Sequence, residues 1–499
     1  MSSKQSYETY VTLMRRIADI KNALAVLQWD QETYLPSKGA GFRSQQIASL
    51  SELAHEMFTA PVSGDIIKEL LQSDQLNADQ MKNVTLSHED YVKQKKLSAG
   101  FVRTLSEAVS KSFHAWIYAR KANSFALFEK ELDALVLLKR QEADLLGYSA
   151  HPYDALLDEF EKGCTVALLD RCFLEVRGPL KDLLDRIETK KQVDHSFLQQ
   201  HFDRQKQWEF GMAIIKESGF DFEAGRQDIS EHPFTTSFNC HDVRITTRID
   251  ENDFGSMTWS CIHEMGHALY EQGLPAEQYG LPLGEYASLS IHESQSRLWE
   301  NHVGRAQPFW ENHFPKLQVL FARQFGGISL NQFYQAINAV KPSLVRTEAD
   351  ELTYHFHVMI RYELEKRLLS GELSARDIPG YWNEQYYNYL GIRVPDDKSG
   401  CLQDVHWSHG SFGYFPTYSL GSFYAAQFFA RASQEIEGLS GFIAGGSTQP
   451  LLDWLRIHIY RYGRKFTSEE LCLQASGEVL NVQHFLRYLL DKYAKIYDF

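Results

Sequence analysis

The chain has no surplus of positive charge. Its 51 Lys and Arg are outnumbered by 65 Asp and Glu, for a net charge of −14. That argues against nucleic acid or an anionic membrane surface as a partner. Nor does it have a long apolar run. The roughly 18 consecutive apolar residues needed to cross a bilayer occur nowhere. Cysteine is scarce and badly placed for a framework. Cys164, Cys172, Cys240, Cys261, Cys401 and Cys472 are irregularly spaced and form no CxxC pair. This disfavours a disulfide scaffold or a thiolate zinc site and leaves small buried hydrophobes as the expectation. The N-terminal stretch MSSKQSYETYVTLMRRIADIKNAL carries charges throughout and no apolar core. No secretion signal is expected, and a cytoplasmic protein is. There is no low-complexity linker and no repeat with a period of about 20 to 50 residues. The 499 residues are therefore read as a single domain, with possible lobes left without boundaries.

Hydrophobic residues make up 43% of the chain and aromatics 13%, enough for a sizeable core. Helical periodicity dominates. It runs from Tyr7 to about Leu27, breaks over Trp29–Pro36, and resumes from Phe42 to Phe58. Two shorter helices are expected within 62–95, a long helical stretch over 98–146, and two more over 168–191 and 194–219. Beyond residue 287, helices are expected to about 303, then over 330–340, 346–370, 375–390, 418–433 and within 451–499. Only Asp228–Ile249 differs. There Val243, Ile245, Thr247 and Ile249 alternate with polar residues, which is strand patterning. Gly391–Tyr414 is a long loop dense in polar and aromatic side chains, as functional loops tend to be. The expected fold is mainly α: a large helical body with a deep groove and a small sheet beside one special helix.

That helix is Trp259–Gly273, WSCIHEMGHALYEQG. Residues four apart on a helix share a face. His263 and His267 can therefore aim their imidazoles at one metal ion. Glu264, one residue round, is placed as a general base for water rather than as a ligand. Asp253 and Ser256 offer N-cap chemistry, and Gly273 with Pro275 offers a stop. Gly266 costs about 1 kcal/mol mid-helix relative to Ala. A bare backbone there would let another element pass close to the metal. A catalytic site needs a third ligand from elsewhere. Glu271, Glu285, Glu293 and Glu300 are the candidates. Glu293, 26 residues past His267 on the following helix, is favoured, with Glu300 as the alternative. The strand before the motif offers an extended peptide an edge to pair with.

HEMGHALYEQG followed by HESQSRLWEN resembles the thermostable, Taq-type metallocarboxypeptidase family. Its further segments appear in order: WDQETYLP at Trp29, HPF at His232, DVRIT at Asp242, VRTEADELTYHFHV at Val345 and GCLQDVHW at Gly400. The one departure is Val345, where Ile is expected. The resemblance implies that His263, His267 and Glu293 hold one divalent ion. Zinc is the first choice, and cobalt or manganese can occupy such a site. It also implies a nearly all-helical fold with a deep groove, a homodimer, and peptide substrates taken with broad tolerance. A carboxypeptidase must hold a free C-terminal carboxylate, which suits an arginine fork. Arg346 is the first choice and Arg244 the second. His232, His406, His409, Tyr414 and Tyr418 are candidates for the oxyanion and the substrate. HGSFGYFPTYSLG resembles the His-then-two-Tyr pattern of related oligopeptidases, favouring Tyr418 over Tyr414. Asp404 is a candidate to orient His406. The expected activity is metal-dependent release of single C-terminal residues. A related helical oligopeptidase or dipeptidyl carboxypeptidase is the alternative. A metal-stabilised binding protein is disfavoured by the intact Glu264.

Overall fold

The computed structural model describes residues 2–499. Helix dominates it, with one three-stranded sheet among the described residues. Among them, no helix is long and apolar enough to cross a membrane. All six cysteines are free thiols, and all but Cys240 are buried. The chain divides into two compact units, each built from three separated segments. One takes the N-terminal segment through Lys95, Asp194–Ile337 and Phe428–Leu480. The other takes Lys96–Val193, Asn338–Gln427 and Asn481–Phe499.

The first unit contains the sheet and the motif helix. Its strands are β1 (Gly225–Ile229), β2 (Thr235–Asn239) and β3 (Asp242–Thr247), in the order β1-β3-β2. β1 lies parallel to β3, and β2 is antiparallel to it, opposing Thr235 to Ile245 and Thr236 to Arg244. Val243, Ile245 and Thr247 share one buried face of β3, as their alternation predicts, and Thr246 is buried as well. Central β3 is thus covered on both sides at that end, and β2 is an edge strand. The first helix runs Ser3–Thr33, so the expected break at Trp29 falls later, before Pro36. The reason is tertiary. Trp29 is buried, with the Arg244 guanidinium 4.4 Å and that of Arg226 5.5 Å from its ring centre. Docking the ring on the sheet carries the helix past the point where local sequence weakens it. A second aromatic cluster of Phe202, Phe210, Phe254, Trp310, Phe325 and Phe333 packs in edge-on and stacked pairs round the start of the motif helix. Burying each such ring contributes about 1.5–3 kcal/mol.

The second unit corrects two helix boundaries. The 98–146 stretch is two helices, Ala99–Ala122 and Ala126–Leu146, parted by Asn123 at φ 53°, a left-handed conformation that Asn tolerates. The 346–370 stretch becomes α-helical only at Tyr354. Before that, Asp350 accepts from the backbone N–H groups of Lys341, Leu352 and Thr353, which holds the segment as a loop. In the first unit, likewise, 194–219 is helical only over Arg204–Glu217, where Asp203 caps the start.

The Gly391–Tyr414 loop is pinned from below by Glu365. Its buried carboxyl accepts from Trp407 Nε1 at 2.8 Å, Gly413 N at 2.9 Å and the Tyr153 hydroxyl. Burial pushes the Glu365 pKa up to about 7, and the three donors only partly oppose it. A carboxyl with a raised folded pKa binds its proton more tightly folded than unfolded. The stabilisation is complete below the unfolded value, near 4.5, and is lost as pH rises through 7. The difference is worth about 3 kcal/mol at most. Thermal melts between pH 5 and 8 are expected to show the wild type losing stability with rising pH relative to Glu365→Gln, which cannot ionise. Parallel curves for the two would refute this.

Candidate metal centre

The motif helix spans Phe254–Gln272. Asp253 caps it as expected, its Oδ1 accepting from Gly255 N at 2.9 Å. Ser256 lies inside the helix instead. Gly273 does end it, but at φ −94° rather than in the left-handed region. Glycine is needed there for space, because a Cβ would sit 2.4 Å from the Tyr460 ring. His263 and His267 share one face, their rings 5.0 Å apart.

After a loop, the chain returns as Leu289–Arg297, capped by Ser288 Oγ on Ile291 N, and continues as a π-helix over Leu298–Gly304. Gly266 sets how close this return comes. A Cβ on it would lie 2.6 Å from Ser296 Cα and 2.7 Å from the Gln295 carbonyl oxygen. The two helices therefore touch backbone to backbone, as the bare position suggested. The approach brings Glu293 Oε2 to 3.7 Å from His263 Nε2 and 3.5 Å from His267 Nε2. One ligand atom from each residue lies within 4.8 Å of the others. Metal–ligand bonds of about 2.1 Å set neighbouring ligands about 3.4 Å apart in a tetrahedron, so the trio fits a divalent cation.

The remaining atoms of the trio are already engaged. Glu293 Oε1 accepts from Arg297 Nε at 2.6 Å, while Oε2, which also accepts from Ser296 Oγ at 3.2 Å, faces the two histidines. His263 Nδ1 donates to Glu300 Oε2 at 2.9 Å, so Nε2 is its free nitrogen. Glu300, the alternative candidate, lies outside the trio and is itself held by Arg297 and Arg305 at 3.4 and 3.3 Å. His267 Nδ1 lies 2.5 Å from His292 Nδ1, and His292 Nε2 lies 2.8 Å from Glu271 Oε1. The sequence reading assigned nothing to His292, and it weighed Glu271 only as a ligand. The adjacency of His292 to Glu293 was the one available signal.

Burial pushes Glu293 and Glu300 up, but their cationic neighbours outweigh it and both carboxyls sit well below the usual range. Arg297 and His263 act on each, and Arg305 adds to Glu300. Burial first, then His292, pushes His267 down to about 3. For His263, Glu293 and Glu300 outweigh burial and raise it. Glu264 is buried beside the trio but is not among its three members. Thr235 Oγ1, on β2, donates to its Oε2 at 2.6 Å. Burial raises its pKa, against His263 and Thr235.

The other sequence-predicted residues fall elsewhere. In the same unit, His232 is exposed just before β2. Arg244 is already forked onto Asp242 at 2.9 and 3.0 Å and lies over Trp29. In the second unit, Arg346 is buried. Its Nε and Nη2 both donate to Asp404 Oδ1 at 3.0 Å, and Nη1 donates to the Tyr354 hydroxyl. Asp404 Oδ2 accepts from Arg361 Nε at 2.6 Å. Asp404 thus bridges two buried guanidiniums instead of hydrogen-bonding His406. His406 Nε2 lies 3.2 Å from the Tyr418 hydroxyl, and its ring packs against Tyr414 and Phe415. His409 is exposed and leans on Phe113. The structure gathers Arg346, His406, Tyr414 and Tyr418 into one neighbourhood and leaves His409 at its rim.

Removing the bridging charge strands both arginines. Asp404→Asn is expected to cost about 3–5 kcal/mol, the usual penalty for breaking a buried ion pair from one side. Denaturant unfolding reads this directly, and a loss under 1 kcal/mol would contradict it.

Comparison with known proteins converges on one group. A sequence model described as "Carboxypeptidase Taq (M32) metallopeptidase" matches residues 9–493. The chain is 40% identical to "Thermostable carboxypeptidase 1" of Thermus thermophilus, over the whole of both chains. Among solved structures, an M32 carboxypeptidase from Deinococcus radiodurans superposes with a TM-score of 0.97 at 38% identity, covering 99% of this chain and 100% of that one. A structure called CHT superposes with the same TM-score at 58% identity, covering 98% and 99%.

Proposed function

This chain belongs to the carboxypeptidase Taq (M32) metallopeptidase family and is a peptide hydrolase, and on that premise we propose how its residues perform the reaction. His263, His267 and Glu293 hold one divalent ion, zinc in the first instance. The observation that carries this is the spacing of Nε2, Nε2 and Oε2, with every competing atom of the three engaged elsewhere. A bound divalent ion there supplies Lewis acidity, acidifying water and polarising a peptide carbonyl.

Glu264 is the general base and then the general acid. It sits beside the ligands without being one, and burial raises its pKa, which makes its carboxylate the stronger proton acceptor. Thr235 fixes one of its oxygens, leaving the other to accept the proton. β2 is an edge strand and carries Thr235, so an extended peptide pairing with it would run beside Glu264.

Arg346 remains the first choice for the substrate's C-terminal carboxylate. It makes three hydrogen bonds of its five, which leaves two N–H groups. Arg244 is second; Nε and Nη2 are each paired with Asp242. Tyr418 and its partner His406 are the first choice for steadying the oxyanion, with His232, His409 and Tyr414 as further contacts. The reading treats residues 1–499 as one catalytic domain of a cytoplasmic homodimer that releases single residues with broad tolerance.

The test is mass spectrometry of a peptide set with free and with amidated C-termini, each with and without a chelator. Stepwise loss of single residues is expected only from free C-termini and only without chelator. Release of dipeptides, or cleavage of the amidated peptides, would instead identify the related oligopeptidase chemistry.

A further inference from the structure

The metal assignment gives no part to His292 and Glu271, yet they stand in line behind His267. Glu271 Oε1 is 2.8 Å from His292 Nε2, His292 Nδ1 is 2.5 Å from His267 Nδ1, and His267 Nε2 faces Glu293 at 3.5 Å. We propose that His292 is a positioning residue for His267. Its Nδ1 lone pair accepts the His267 Nδ1 proton and so fixes the tautomer that presents Nε2 to the cation, while Glu271 fixes His292 from behind. This rests on the metal reading given above.

The direction of each hydrogen bond follows from chemistry. A carboxylate only accepts, so the proton between Glu271 and His292 belongs to His292 Nε2. A neutral imidazole carries one proton, which leaves His292 Nδ1 as an acceptor. The neighbouring His267 Nδ1 must then donate, and its Nε2 keeps a lone pair for a cation. With the opposite polarity, His267 would carry its proton on Nε2 and could not ligate. His292 is also held in place by its surroundings. Its ring packs against those of Tyr270 and Tyr286, 5.4 and 5.0 Å away. The Tyr270 hydroxyl in turn accepts from Ala287 N, which ties that ring to the start of the return segment.

The arrangement is unequal between the two ligands. His263 reaches its carboxylate, Glu300, directly. His267 reaches Glu271 only through a second imidazole. The geometry therefore makes His267 the proposed ligand whose tautomer is set through a second imidazole, and His292 the residue that sets it.

The measurement is zinc affinity, by titration of the metal-free protein against a chromophoric chelator, with thermal unfolding of each metal-free form as the fold control. His292→Phe keeps the ring but has no acceptor. It is expected to weaken zinc binding about 10- to 100-fold, the range for outer partners of metal ligands. His292→Asn restores an acceptor near Nδ1 and is expected to recover most of that loss. If His292→Phe does not fold, Glu271→Met against Glu271→Gln asks the same question from the far side. Weaker zinc binding in the first and near-normal binding in the second is expected. Unchanged affinity in His292→Phe, no recovery in His292→Asn, or equal affinity in the two Glu271 variants overturns the proposal. A wild type that takes up no zinc overturns the metal centre itself, which separates the two failures.

Discussion

Glu264→Gln is expected to keep its metal and lose turnover by about 10²- to 10⁴-fold, the range over which positioned acid–base groups act. The substitution preserves shape and one acceptor oxygen. Thr235 Oγ1 can still donate to the amide oxygen as it does to Oε2 at 2.6 Å. What disappears is the capacity to take a proton from water and return it to the departing amine. The three proposed ligands do not include Glu264, so zinc stoichiometry and affinity should match the wild type within a few-fold. kcat should fall while KM changes little, as for an interaction made in the transition state rather than on binding. Full turnover in the variant would end the assignment of Glu264. Loss of zinc together with turnover would instead make it a ligand.

Gly266→Ala is expected to damage both the fold and the candidate metal centre through a single added methyl. The added carbon would lie 2.6 Å from Ser296 Cα and 2.7 Å from the Gln295 carbonyl oxygen, and neither backbone atom can swing aside. The return helix must back away by roughly 1 Å to restore ordinary contact. Overpacking of this kind costs about 1–3 kcal/mol or more. The functional cost is larger, because Glu293 lies three residues from the point of contact and moves with it. Zinc affinity is expected to fall at least tenfold, with melting temperature falling too. Gly41→Ala, on the helix Ala40–Thr59 with nothing within 4 Å of its Cβ position, is the control. It should be neutral or stabilising by up to about 1 kcal/mol, since Ala is the better helix former. A tolerated Gly266→Ala would show that the two helices are not in backbone contact at this point.

These cases indicate where sequence alone was informative. The motif helix, its Asp253 cap, the closeness at Gly266 and the nearness of Glu293 to the two histidines are all legible because each depends on local spacing or on one backbone requirement. The β3 alternation is legible for the same reason. What failed depends on partners distant in sequence. Trp29 reads as a helix breaker because Arg244 and Arg226, the cations over its ring, lie about two hundred residues away. Nothing near Arg346 in sequence announces its ion-pair partner, Asp404, which lies 58 residues on. Gly273 was placed correctly for the wrong reason, its constraint being the Tyr460 ring rather than a left-handed turn. His292 went unread because an imidazole that serves another imidazole leaves no periodic trace.

The interleaving of segments bears on biosynthesis. The unit that carries the candidate metal centre draws its last segment from Phe428–Leu480, and the other unit takes its last from Asn481–Phe499. Neither can form as a contiguous piece behind an advancing ribosome. The histidines of the motif are translated well before the residues that complete the unit around them. Contacts of such long sequence separation fold slowly and leave apolar surface waiting. Residues as late as Leu480 must therefore leave the ribosome before the unit with the histidine pair can close, and a chain stalled near residue 430 would present that pair and Glu293 in an unfinished unit.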